Sequence, residues 1–437
     1  MLRYYSQNIN LLLFYFLIVI LGAFTGPAAY AVVPAIFIYY YTNKKAPYLL
    51  FAFFFVLLLS DSRQYFFGFA EKVKPVIVVL LCFLYYIDYR TKSEKINFTA
   101  PFTLFFLVAC FCLKNSSTFF NSTSKTISYF LILFTIPGLT SYLLVYHKEK
   151  LLKGLVYFGA FVLGAGLVLR LIYPAITNFK GERFSGLLGN PNGLGIFCFL
   201  FFTLLIIIVH YYPLLISRTD KILIYGLILV SLVLSGSRGG IFSILIFIAF
   251  YIISKRSRLL AILTVAILAL TYTSLEKYLP EIIEAFGQEK YFRLQTLETG
   301  SGRNVAFEFA WENIQKDLYS GKGLGYTEKL MKDNEDELSE EGHQGNAHNS
   351  YLTMWLDTGL FGLLAFIFGW GYWFFKANKF SFFAMPVAFA VLFSSNVESW
   401  LAASLNPFTI QLLIILTLLN NREFIYGNEK KASLRSA

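Results

Sequence analysis

The sequence predicts an all-α fold: a polytopic bundle of transmembrane helices with one large outward-facing helical loop. Three observations lead there. Apolar runs of about 14 to 25 residues recur from end to end, split by short charged loops, as a chain that crosses a bilayer repeatedly requires. Hydrophobic residues make up 57% of the 437 and charged residues only 14%, too few to cover a soluble domain of this size. The basic residues are unevenly shared: 20 of the 37 fall on one set of loops and 9 on the other, with 8 in a long segment at 276–348.

Fourteen segments read as spans, near 9–24, 28–42, 46–60, 75–88, 98–113, 127–146, 153–173, 194–213, 221–235, 240–254, 259–275, 350–375, 380–394 and 400–420. Several are short for a full crossing, so tilt or a re-entrant pair brings the count to between 12 and 14. The apolar run from Ile9 continues to Lys44 and Lys45, which suits a retained helix pair better than a cleaved leader. The positive-inside rule places both termini in the cytoplasm and the 276–348 loop outside. That loop holds 15 of the 26 acidic residues and has a net charge of −7. Organisation follows: N-terminal spans over 1–180, spans with distinctive turns over 181–275, the loop over 276–348, and C-terminal spans with a tail over 349–437.

The net charge of +11 is a membrane signature, since no basic stripe interleaved with polar residues is present to grip nucleic acid. Cys82, Cys110, Cys112 and Cys198 lie inside apolar runs without CxxC or Cys/His spacing, so they read as buried thiols rather than metal ligands. No metal site and no cofactor motif is expected.

Four outward-facing pieces are more specific than loops need to be. At 181–195, GERFSGLLGNPNGLG contains a tight Gly-Asn-Pro-Asn-Gly turn, which by itself needs only to lead into a helix; Arg183 beside it sits near the bilayer surface. At 235–240, SGSRGG is a turn of small residues that permits close backbone approach. Its Arg238 either is held inside the bundle or snorkels to a headgroup.

The third piece is a helix after Ser301, for which Ser301 is the expected N-cap. Helical phase aligns Arg303 with Ala306, Phe307, Ala310 and Ile314, opposite Glu308, Glu312 and Lys316. Arg303 and the free first-turn N–H groups would form an anion site suited to phosphate; the alternative is a surface Arg in a local ion pair. The fourth piece, AHNSYLTMWLDTGLFG at 347–362, puts His348 where water meets the bilayer, with Asn349 or Ser350 capping the next helix. His348 has the side-chain chemistry of a general base, although a lone His is often structural. Asp357 lies roughly 13 Å further along that helix and half a turn round, so it is not placed to orient His348; structural and functional readings of it stand equally. The acidic run DNEDELSEE at 333–341 lacks the Gly of a calcium loop and reads as a solvated, mobile segment.

Taken in order, these pieces resemble the O-antigen ligase and polymerase superfamily: Arg183 with Gly-Asn-Pro-Asn, then Ser-Arg-Gly-Gly, then an Arg-led helix with Gly-rich turns, then His-Asn-Ser-Tyr-Leu ahead of Gly-Leu-Phe-Gly. The resemblance covers about residues 180–400. It implies a bacterial inner-membrane glycosyltransferase whose active site faces the periplasm. The donor would be a glycan on undecaprenyl diphosphate; the acceptor would be lipid A–core in a ligase or a second lipid-linked glycan in a polymerase. It further implies that Arg238 and Arg303, and less directly Arg183, hold the donor diphosphate, while His348 deprotonates the acceptor without a metal, with inversion at the anomeric carbon. Arg63 matches no motif but could add a contact. A transporter or flippase for the lipid-linked sugar is the alternative of a different class. It would place ionisable residues at mid-membrane on several helices, and here only Asp357 is deep.

Overall fold

The computed structural model describes residues 1–62, 64, 67–92, 98–179, 183–257, 260, 263–264, 303–340, 343 and 345–426. The expected span at 259–275, the N-cap at Ser301 and the candidate Arg63 lie outside them. The chain is an all-α polytopic membrane protein: each expected span within the described residues contains a helix, the one at 400–420 only from Pro407 on after a short turn, and the strands described are two of two residues each. Five described helices are long and apolar enough to cross a membrane: Phe119–Tyr146, Lys148–Ile172, Pro191–Tyr211, Arg238–Arg256 and Ser350–Asn378. Shorter apolar helices such as Ala46–Asp61 and Pro407–Asn420 accompany them.

Contacts divide the chain into two compact units. The first comprises residues 1–99, 128–241 and 404–437. Its centre is occupied by Ala46–Asp61 and Pro407–Asn420, which are largely apolar, without a charged face, and buried on nearly every side. A helix without a polar face is stable only where all its neighbours are apolar, so these two must lie inside the bundle. Outer helices leave large side chains uncovered, among them Phe16 and Leu171, as expected where lipid takes the place of a core. Close approach within this unit rests on small residues. A Cβ on Gly240 would come within 2.7 Å of the Gly195 backbone, which explains the second glycine of the Ser-Arg-Gly-Gly turn.

The second unit comprises residues 100–127 and 242–403 and is built around Ser350–Asn378. At 29 residues this helix would measure about 44 Å if straight, more than a bilayer's hydrocarbon core needs. It is broken at Gly359 (φ 68°, ψ 178°). The break frees backbone groups that cannot stay unpaired at membrane depth, and the segment at 318–323 meets them. Lys322 and Gly323 N–H donate to the Leu356 and Asp357 carbonyls, and Leu360 N–H donates to the Leu318 carbonyl. A side chain at Gly359 would run into the Tyr319 carbonyl, and this close approach, with the positive φ, requires glycine.

The polar stretch at 303–347 carries a small core of its own. Ala310, Ile314, Met331, Leu338, Ala347 and Leu356 are buried together, with Leu352 and Trp355 packed against them. The acidic run is solvated as expected, but it carries a helix that its charges did not announce. Glu335–Glu340 is helical, its carboxylates outward, because Leu338 is pinned in that core.

Candidate active site

In the second unit, three side chains from separate parts of the sequence converge: Arg303, His348 and Glu398. Arg303 is the first residue of the helix Arg303–Lys316. Its phase is as the periodicity predicted, with Ala306, Ala310 and Ile314 buried and Glu308, Glu312 and Lys316 exposed. The guanidinium thus lies at the edge of the buried stripe. Its Nη2 donates to Glu398 Oε1 at 2.7 Å, a partly buried ion pair spanning 95 residues rather than a local surface one.

His348 is held from both sides. Ala347 is fully buried in the small core, and Asn349 caps the following helix, its Oδ1 accepting from Tyr351 and Leu352 N–H. Between these anchors His348 adopts φ 47°, a left-handed conformation that costs a β-carbon-bearing residue roughly 1–3 kcal/mol. The cost is tolerated because the flanking packing overdetermines the backbone. The ring then presents Nδ1 to Glu398 Oε2 at 3.0 Å.

Glu398 is the residue that reading the sequence missed. It follows the helix Ala384–Val397 in extended conformation and precedes the turn Ser399–Ala402. Its backbone is clamped to the start of the His348 helix: Ser350 Oγ donates to the Glu398 carbonyl at 2.9 Å and accepts from Leu401 N–H at 3.2 Å. Asn349 Nδ2 adds a bond to Asn396 Oδ1 at 3.0 Å. The side chain is only 14% exposed. Burial alone would raise its pKa, but the hydrogen bond and charge of His348 and the charge of Arg303 outweigh it and hold Glu398 below the usual glutamate range. One signal was available: Glu398 is the sole acidic residue between Asp357 and Glu423, in the short gap between two apolar runs.

An ionised Glu398 opposite Nδ1 fixes the neutral ring in the tautomer with its proton on Nδ1, leaving the Nε2 lone pair as a base. Among the described residues Nε2 has no hydrogen-bond partner. The carboxylate would also stabilise the imidazolium formed when Nε2 takes a proton.

Asp357 lies elsewhere in its role. It is buried, and its carboxylate accepts from Gly325 N–H at 2.7 Å and from Thr327 N–H and Oγ1 at 2.8 and 2.7 Å. It fastens the Gly-Leu-Gly-Tyr-Thr turn to the broken helix.

In the first unit, Arg183 reaches the turn that carries Arg238. Gly236 closes the preceding helix with φ 56°, and Ser237 Oγ accepts from Gly240 N–H, so Arg238 opens the helix Arg238–Arg256. Arg183, on a two-residue strand paired with Asn178–Phe179, donates through Nε to the Ser235 carbonyl at 2.9 Å. Its Nη2 reaches the Gly236 carbonyl and Asn192 Oδ1 at 3.2 and 3.3 Å. Those bonds shape the turn that presents Arg238. Arg238 and Arg303 share one feature: each begins a helix, where a cation is unfavourable to the dipole unless an anion sits with it.

No group of three His, Cys, Asp or Glu among the described residues is arranged to hold a metal ion. Compared with known protein families, residues 223–367 match the family described as O-Antigen ligase. The match includes Arg238, Arg303, His348, Asn349 and Asp357; Arg183 and Glu398 fall outside it. No curated protein matches the chain.

Proposed function

From the O-antigen ligase and polymerase superfamily to which residues 223–367 assign this chain, we propose that it transfers a glycan from undecaprenyl diphosphate to an acceptor hydroxyl at the periplasmic face of a bacterial inner membrane. The observation that carries the reading is the Arg303–Glu398–His348 cluster. The acceptor O–H gives its proton to His348 Nε2 as its oxygen attacks the anomeric carbon. The bond to the diphosphate breaks, undecaprenyl diphosphate departs with the electron pair, and the configuration inverts. Glu398 balances the imidazolium charge. Donor diphosphate is assigned to Arg303, whose Nε and Nη1 have no hydrogen bond among the described residues; Arg238, in the turn that Arg183 shapes, is kept as a donor-binding candidate on the resemblance alone. A guanidinium beside a leaving diphosphate supplies electrostatic stabilisation of the kind this reaction needs.

The test is transfer by the purified full chain in lipid nanodiscs. It is given a lipid-linked donor with either lipid A–core, the acceptor of a ligase, or a second lipid-linked glycan, the acceptor of a polymerase. His348→Ala should slow transfer about 10²–10⁴-fold while donor binding holds. Arg303→Ala and Arg238→Ala should each weaken donor binding about tenfold or more. Undiminished transfer in the first, or unchanged donor binding in both Arg variants, overturns the assignment.

A further inference from the structure

The first unit contains a basic cavity that the transfer reaction does not use, and its chemistry does not depend on that reading. It encloses about 720 Å³ between three stretches of chain: Tyr4–Asn8, the turn before the helix Ala46–Asp61, and the start of the helix Lys148–Ile172. Five lysines line it, Lys44, Lys45, Lys148, Lys150 and Lys153, against one acid, Glu149. Glu149 is engaged by Lys153 at 2.6 Å, and Lys148 is paired with Glu423 at 3.4 Å. Lys45 lies over the rings of Tyr39 and Tyr48. Lys44, Lys45 and Lys150 thus face the cavity with no carboxylate partner among the described residues.

That arrangement is unfavourable as it stands. Lys148 and Lys150 sit in the first turn of a 25-residue helix, at the positive end of its dipole, and His147 provides no side-chain cap. Lys44 holds a left-handed backbone (φ 54°), placing a third charge at the same opening at a cost in strain. Burial and the Lys150 charge hold His147 below its usual range. Part of the lining is apolar and buried, namely Pro47 and Phe51, and Tyr48 Oη donates to Asn8 Oδ1 at 2.7 Å. Like charges gathered around a cavity whose lining is partly apolar call for an anion with an apolar continuation.

The geometry points to a binding site for a phosphate-bearing anion in this cavity, formed by Lys44, Lys45 and Lys150. The same chemistry is offered by the headgroup phosphate of an anionic phospholipid and by a free phosphate.

Native mass spectrometry of the detergent-purified full chain tests it, with phosphatidylglycerol, phosphatidylcholine and inorganic phosphate as probes. Phosphatidylglycerol or inorganic phosphate should bind, and phosphatidylcholine should bind more weakly than phosphatidylglycerol. The double variant Lys44→Gln/Lys150→Gln should lose about fivefold in affinity per lysine. Lys44→Arg/Lys150→Arg should retain binding, and Lys221→Gln, outside the cavity lining, should leave it unchanged. Phosphatidylglycerol binding without competition from inorganic phosphate assigns the site to the lipid, and competition assigns it to the phosphate group alone. The proposal is overturned if neither anion binds, or if Lys221→Gln loses as much affinity as the double variant.

Discussion

Glu398 offers one carboxylate oxygen to Arg303 and the other to His348, and that division sets what a substitution there would do. In Glu398→Gln the amide oxygen stays with the donor-only guanidinium, so the amide NH₂ faces His348 Nδ1. Nδ1 must then accept, the proton moves to Nε2, and the base is lost with the packing intact. Transfer should fall about 10²–10⁴-fold with little change in thermal midpoint, measured by single-turnover transfer beside a melting curve. Equal loss of stability and activity would instead mark Glu398 as a scaffold residue. At this scale the sequence disclosed the residues with a local pattern. Arg303 was placed by helical phase, and Asn349 by its position before an apolar run. Glu398 has no such pattern, because its meaning comes from a contact across 50 residues.

Around the Gly359 break, element and turn depend on each other. The helix Ser350–Asn378 is interrupted where the Gly-rich turn at 321–325 can meet its freed backbone groups, and Asp357 ties the two together with three hydrogen bonds. An Asp357→Asn variant would set an amide donor against a backbone N–H. It should cost about 1–3 kcal/mol, read as a lower thermal midpoint, while the base and its tautomer are untouched. A variant with full stability but no activity would return Asp357 to the chemistry. The sequence marked this residue as deep and polar without deciding its role, since the deciding partners, Gly325 and Thr327, are brought to it by tertiary structure. The acidic run at 333–341 went the same way: its charges pointed to solvent, and the one apolar residue among them, Leu338, fixed a helix.

For the whole molecule, spans were the most legible feature, because apolar runs must be long and backbone bonds must close within the segment wherever lipid surrounds them. The ends were less so: Phe119–Tyr146 and Lys148–Ile172 extend several residues beyond the apolar runs at 127–146 and 153–173, since helices continue into polar residues at no great cost. Sidedness rests on the distribution of Lys and Arg. Reporter fusions after residue 258 and at the C-terminus should read cytoplasmic, and one inserted at residue 285 should read periplasmic. A cytoplasmic reading at 285 would put His348 on the wrong side for a glycan presented in the periplasm.

In the proposed reaction His348 and Glu398 act as one base. A double-variant cycle of single-turnover transfer measures this directly, with His348→Ala, Glu398→Gln and both together in the full chain. Residues that act as a unit lose their function once, so the double variant should be no slower than His348→Ala alone. Losses that multiply, each variant slowing the reaction regardless of the other, would contradict it.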